Sequence, residues 1–177
     1  MTRARDRQAG FTLMELMVVV ALVAILAAVA LPSFAGESRK AAGTAEVSAF
    51  FGELRIREEQ YHTENGAYLA TGATESATFP ATPTAAATAV GALPASWTAL
   101  KVRTPESKVR CGYVVIAGTA TTGTVGTIAA TSFGYTHPNQ DWFYVLAHCN
   151  LDNDPTVDGY YFISSDSATI QKLNPGK

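Results

Sequence analysis

The stretch GFTLMELMVVVALVAILAAVALP, from Gly10 to Pro32, decides the fold of this chain. Its residues from Leu16 to Leu31 carry no charged or polar side chain. With the residues just before Glu15, the apolar segment reaches about 20 residues, the length that a helix needs to cross a bilayer. Arginines outnumber acidic residues ahead of it, which predicts a cytoplasmic N-terminus. We therefore predict one helix in the membrane.

Three interpretations of this segment compete. The first is a cleaved secretory signal with Ser33-Phe34-Ala35 as its small-residue cleavage site. The second is a plain single-pass anchor. The third places the processing point between Gly10 and Phe11, so that the hydrophobic helix stays in the mature protein.

The carboxylate of Glu15 separates these interpretations. A carboxylate inside a membrane helix costs about 2.5–3.5 kcal/mol on insertion scales, and such groups usually have a partner and a function. A disposable signal or a simple anchor gains nothing from that cost. Cleavage after Gly10 would create a free amine on Phe11, one helical turn from Glu15, and this amine is a suitable counter-charge. The third interpretation is favoured.

The string GFTLMEL followed by an apolar helix and Pro32 resembles the class III signal of type IV pilins and pseudopilins. The resemblance implies that a prepilin peptidase in the membrane cuts after Gly10 and methylates the amine of Phe11. It also implies that Glu15 neutralises the Phe11 amine of an adjacent subunit during filament assembly. The implied partners are further copies of the chain, other pilins, the prepilin peptidase and the inner-membrane assembly platform.

An amphipathic pattern continues after Pro32. An apolar stripe, of the kind that packs on a sheet, consists of Val47, Phe50, Phe51, Leu54, Glu58 and Tyr61. Glu58 is its one polar member. Other faces are predicted to carry the charged residues Glu46, Glu53, Arg55, Arg57 and Glu59. Pro32, Gly36 and Gly43 weaken helical structure, so we expect the rod to bend or melt there. Asn65-Gly66 is a C-terminal stop signal.

The middle of the chain, from Thr71 to Pro94, is dominated by Ala and Thr and shows no regular period. It predicts a surface loop with at most one short strand or turn. Strand patterns follow it, and they cover residues 111–117, 124–130, 141–149, 160–164 and 169–173. Short connections between them favour an antiparallel sheet, with one face on the amphipathic helix.

The two cysteines, Cys111 and Cys149, predict one disulfide in an oxidising compartment, with two unpaired core thiols as the alternative. If strands 111–117 and 141–149 are antiparallel neighbours, Cys111 lies near Cys149. Residue pairs 113 with 147 and 115 with 145 are then opposite as well. A strand at 124–130 inserted between them would break this register. About 28 residues follow Cys149, which departs from the commonest pilin arrangement.

Candidate chemistry elsewhere is sparse. The alternating Asp152, Asp154, Thr156 and Asp158 resemble the opening of a Ca²⁺ loop, but a turn between strands explains them better, so we predict no metal site. His62, His137 and His148 lack metal-ligand spacing, and no phosphate loop or nucleophile motif is present. The sequence predicts neither catalytic residues nor a cofactor.

The predicted architecture is an α+β pilin fold, in which a long N-terminal helix precedes an antiparallel sheet of about four strands. We expect a leader at 1–10, a polymerisation helix at 11–35 and a globular head at 36–177. Within the head, a helix at 36–62 and a loop at 63–100 precede the sheet at 101–177. A net charge of −2 does not indicate the basic surface that specific nucleic-acid binding would need.

The predicted function is that of a structural subunit of a type IV pilus, not an enzyme. It would be a single-pass inner-membrane protein before assembly and part of a cell-surface filament afterwards. Motility, adhesion and DNA uptake are the expected roles of such a filament. The alternatives are a pseudopilin of a type II secretion or competence system and a membrane-tethered binding module.

Overall fold

The computed structural model describes residues 11–81, 83–154 and 156–177, with the side chains of residues 32 and 33 excepted. The chain divides into two compact units, one ending at Glu37 and the other spanning Ser38–Lys177. In the first unit, the described residues from Leu13 onward form one helical segment. The second unit is an α+β domain, which we call the head.

Helix α1 spans Leu13–Asn65. It ends where Asn65-Gly66 predicted, because Gly66 adopts a left-handed backbone (φ 77°) and donates a 2.7 Å hydrogen bond to the carbonyl of His62. Helical structure continues through Pro32 and both following glycines. The predicted loss of helical structure near Pro32 is therefore not present in this chain.

Among the described residues, six strands and two short helices follow α1. They are β1 (Thr88–Ala89), α2 (Ala95–Ala99), β2 (Lys108–Val109), β3 (Cys111–Gly118), α3 (Thr127–Phe133), β4 (Trp142–Cys149), β5 (Gly159–Ser164) and β6 (Ser167–Leu173). The main sheet is antiparallel, with the strand order β3-β4-β5-β6, and β1 pairs with β2 in a separate two-stranded sheet. The α+β class, the four-stranded sheet and a loop with one short strand between helix and sheet are confirmed.

Strands β3 and β4 pair in the predicted register. Cys111 faces Cys149, and the pairs Tyr113–Ala147 and Val115–Val145 follow. The cysteines form a disulfide with their Cα atoms 4.4 Å apart. The residues after Cys149 supply β5 and β6, which extend the sheet beyond the disulfide-linked pair.

The two faces of the sheet are both covered, and successive strand residues alternate between them. One face packs on α1, and its core includes Val47, Phe50, Phe51 and Leu54 of the predicted stripe. The opposite face forms a second core of Val114, Ile116, Trp142, Tyr144, Leu146 and Phe162 with Ala129 of α3. The aromatic residues Trp142, Tyr144 and Phe162 are therefore buried on this face together with Ala129 of α3.

The prediction of a strand at residues 124–130 is wrong, because this segment leads into α3. Its β-branched residues favour a strand locally, but tertiary contacts select a helix. The Glu75 carboxylate accepts 2.8 Å hydrogen bonds from the amides of Ile128 and Ala129 in the first turn of α3. The Tyr144 hydroxyl accepts another from the amide of Gly126. Since no strand inserts, β3 and β4 pair directly.

The prediction that Glu46 lies on a different face of the helix from the apolar stripe is also wrong. Its side chain is buried, and its carboxylate accepts hydrogen bonds from the amides of Arg110 and Cys111 and from the Tyr113 hydroxyl. Four helical positions before Phe50, it lies beside the start of β3, where a polar acceptor is needed. Charge alone therefore misassigned its face.

Candidate functional site

The helical segment before residue 38 presents an almost continuous apolar surface. Phe11 is 85% exposed and Leu13 is 83% exposed. Large hydrophobic residues remain exposed along the segment to Leu31 and Phe34. Helix α1 contains a stretch that is long and apolar enough to cross a membrane. Such a surface is stable in lipid or against other apolar helices, not in water.

Glu15 is the acidic residue in the first turn of α1. The backbone amide of Glu15 donates a 3.2 Å hydrogen bond to the hydroxyl of Thr12. Thr12 and Glu15 thus have the spacing of a capping box, in which the residue before the helix satisfies a free amide. The helix dipole also favours a negative charge in this turn. Thr12 was not predicted as a functional residue, although the T-x-x-E pattern in the sequence indicates such a cap.

The processing residues are only partly within the described chain. Gly10 lies outside the described residues, and for Pro32 the backbone alone is described. Phe11 and Glu15 are both exposed and lie close in sequence at the start of the helix. Methylation of Phe11, pairing of Glu15 with a neighbouring subunit and the role of Pro32 in assembly stay predictions.

In the head, the disulfide and Glu46 together fix the start of β3. Cys111 and Cys149 are almost completely buried. The Glu46 carboxylate accepts a 3.1 Å bond from the amide of Cys111 and a 2.8 Å bond from the hydroxyl of Tyr113. Burial and the adjacent Glu46 carboxylate raise the pKa of Tyr113. One helix position thus holds the disulfide-linked strand against α1.

The acidic turn after Cys149 uses its carboxylates within the protein. The amide of Asp154 and the ammonium group of Lys177 lower the pKa of Asp152. The hydroxyl and amide of Thr156 lower the pKa of Asp154. Asp158 lies 2.9 Å from His148. Among the described residues, no three His, Cys, Asp or Glu side chains are grouped so as to hold a metal ion.

The three histidines have separate structural partners. His62, in the last turn of α1, lies 3.5 Å from Asp141, just before β4. His148 stacks on Tyr160 with a 4.8 Å centroid distance. His137 contacts Trp142, whose indole nitrogen is 3.3 Å from the imidazole Nε2. These contacts tie elements of the head together and do not converge on one site.

Comparisons with known proteins match part of this chain. The family model of the prokaryotic N-terminal methylation motif matches residues 5–31. The type IV wide pilus major component PilA4 of Thermus thermophilus is 41% identical over 59 residues, which are 33% of this chain and 44% of that protein. The prepilin peptidase-dependent protein D of Escherichia coli is 49% identical over 45 residues, which are 25% of this chain and 31% of that protein.

The matched regions therefore span less than half of either relative. The two matches cover 33% and 25% of this chain, and no solved structure is significantly similar to it. The residues of the family match from Leu13 onward lie in the apolar part of α1, which precedes the α+β head.

Proposed function

Because this chain is a type IV pilin-like protein, we propose that it is a structural subunit of a type IV pilus. The supporting observation is the exposed apolar surface of α1, interrupted by the single carboxylate of Glu15 inside the methylation motif. In a filament, neighbouring α1 segments would cover this surface. The name of the Thermus relative, a pilus major component, supports the same role.

The proposed maturation begins with removal of residues 1–10 by a prepilin peptidase and methylation of the new amine on Phe11. Before assembly, the apolar part of α1 crosses the inner membrane. An assembly platform in that membrane then transfers the subunit into the filament. In the growing polymer, the Glu15 carboxylate pairs with the Phe11 amine of a neighbour, since an unpaired charge is costly in an apolar bundle.

The test is replacement of Glu15 by Ala in the producing bacterium, followed by mechanical shearing of cells and mass spectrometry of the chain. We expect the wild-type chain to be recovered in sheared filaments and to start at methylated Phe11. The Glu15→Ala chain should remain in the membrane fraction, with filament yield reduced at least tenfold. Glu64→Ala, a change at an exposed position of the same helix, is the matched control and should assemble normally.

Two outcomes would reject the proposal. Normal filament yield from Glu15→Ala would show that assembly does not need the carboxylate. A wild-type chain that retains Met1 and Gly10 would instead indicate a membrane-tethered module without prepilin processing.

A pseudopilin is the second candidate, since the Escherichia coli relative is named only for its dependence on prepilin peptidase. Both candidates predict a mature N-terminus at Phe11. They differ in location, because a pilus subunit should be abundant in sheared surface material and a pseudopilin should remain with the cells. Loss of secretion or DNA uptake on deletion of the gene, without surface filaments in the wild type, would favour the pseudopilin.

A further inference from the structure

Glu58 is the polar member of the apolar stripe of α1 and is fully buried. Its Oε2 atom accepts a 2.9 Å hydrogen bond from the backbone amide of Leu69. Its Oε1 atom is buried without a hydrogen-bond partner. An ionised oxygen in this position would be neither solvated nor paired. Burial of Glu58 therefore favours its neutral carboxyl group.

The charged groups within about one helical turn of Glu58 on α1 include Arg55, whose Nη2 atom donates a 3.4 Å hydrogen bond to the carbonyl of Ser165. On α1, Glu59 is its neighbour, and His62 lies 3.5 Å from Asp141, which precedes β4. On the loop after α1, the hydroxyl of Tyr68 is 3.3 Å from the Glu59 carboxylate. Glu58 takes part in no salt bridge with the described residues. Burial and the charge of Glu59 raise its pKa to about 8 from an ordinary value of 4.5.

The bond to Leu69 joins the end of α1 to the loop that leads to the sheet. The same loop is attached again at Thr71, whose amide donates a 2.9 Å bond to the carbonyl of Val115 in β3. Tyr68 and Leu69 pack, partly buried, against the main core. Residues 66–69 therefore lie between the end of α1 and the attachment of Thr71 to β3, so they can open without separation of the strands.

We propose that Glu58 is a protonation-dependent latch that holds the loop at residues 66–69 against α1 and releases it when the carboxyl group ionises. Ionisation requires water at the carboxylate, and the loop is the element that must move to admit it. Release exposes Tyr68 and Leu69 and frees the start of the loop. The latch belongs to the head and does not depend on the proposed filament role.

The latch has a specific pH dependence. The closed form holds a proton up to a pKa of about 8, whereas the open form loses it above its ordinary value of 4.5. The equilibrium constant for opening therefore rises about tenfold per pH unit between these values and is level above pH 8. The protection of the Leu69 amide against hydrogen exchange should fall by the same factor.

The experiment is hydrogen exchange of the full chain in detergent micelles between pH 5 and pH 9, with rates corrected for intrinsic exchange. In the wild type, we expect the protection factor of Leu69 to fall about tenfold per pH unit up to pH 8. Glu58→Gln keeps an oxygen acceptor for Leu69 and cannot ionise, so its protection factor should not change with pH. Glu58→Met removes the acceptor, so the Leu69 amide of this variant should exchange rapidly at every pH.

Matched variants separate the latch from other titrations. Glu64→Gln, at an exposed helix position, and His62→Gln, which removes the pair with Asp141, should both keep the wild-type pH dependence. The Leu146 amide in the central strand β4 should be more strongly protected than that of Leu69, because local opening leaves the sheet intact.

Three results would overturn the latch. One is a pH-independent protection factor for Leu69 in the wild type. Another is the wild-type slope persisting in Glu58→Gln. The third is equal protection of Leu69 and Leu146, which would mean that Leu69 exchanges only when the whole head unfolds.

Discussion

The carboxylate of Glu46 accepts a 2.8 Å hydrogen bond from the hydroxyl of Tyr113, across the contact between α1 and β3. The same carboxylate accepts bonds from the amides of Arg110 and Cys111. Backbone amides at the start of a strand need a hydrogen-bond acceptor. Here the Glu46 carboxylate supplies that acceptor in place of a neighbouring strand. The phenol ring of Tyr113 also stacks on Phe50, with ring centroids 4.2 Å apart.

Replacement of Glu46 by Ala should destabilise the head by about 3 kcal/mol, because buried donors lose a charged acceptor. Tyr113→Phe should cost less, about 1–2 kcal/mol, since it removes one donor and keeps the ring. Guanidinium unfolding of the full chain in detergent measures both, with the buried Trp97 and Trp142 as fluorescent reporters. Glu106→Ala, at an exposed position, is the control. A cost for Glu46→Ala no larger than that of the control would contradict the assignment.

Removal of the disulfide by the double change Cys111→Ala and Cys149→Ala should lower the free energy of unfolding by about 4 kcal/mol. The crosslink closes a loop with a sequence separation of 38 residues, and the chain-entropy model gives a stabilisation of this size. The strand register should survive, because the pairing of β3 with β4 continues to Gly118 and Trp142. Unfolding curves give the energy, and cross-strand nuclear Overhauser effects between residues 115 and 145 give the register. A changed register would show that the disulfide selects the pairing.

Two glycines of α1 form a natural comparison. A Cβ atom on Gly52 would meet no atom within 4 Å, whereas one on Gly43 would lie 2.7 Å from the buried Leu151 side chain. Gly52→Ala should therefore stabilise the monomer by up to about 1 kcal/mol through helix propensity. Gly43→Ala should destabilise it by about 1–3 kcal/mol through overpacking. Thermal unfolding in detergent distinguishes them, and equal shifts in the same direction would show that Leu151 moves aside without cost.

The stability of the whole head should depend on pH through Glu58. Its pKa is about 8 in the folded chain against an ordinary value of 4.5, so the folded state binds more protons than the unfolded state between these values. Its contribution to the free energy of unfolding is complete below pH 4.5, falls as the pH rises towards 8 and is constant above. Across this window we expect a loss of a few kcal/mol in the wild type that is absent from Glu58→Gln. Denaturant midpoints at pH 5, 6.5 and 8 provide the measurement, and parallel pH profiles for the two chains would refute it.

Local patterns in the sequence determined a large part of this molecule. The run from Leu16 to Leu31 has no polar side chain to expose, so it predicted a membrane-length helix. The 3.6-residue spacing of Val47, Phe50 and Leu54 predicted which face of α1 meets the sheet, and all three are buried. Cys111 begins one predicted strand and Cys149 ends another, so a disulfide between them predicted one antiparallel register. The structure has this register.

Tertiary structure decided what local patterns leave ambiguous. Residues 124–130 have β-branched side chains, yet capping by Glu75, far away in sequence, and packing on the sheet face opposite α1 select a helix. Glu46 and Glu58 are charged residues by type, but each is buried because a distant backbone amide lies where its carboxyl group reaches. Burial of a polar group depends on its partner's position in space, and that position is set only when the sheet packs on the helix.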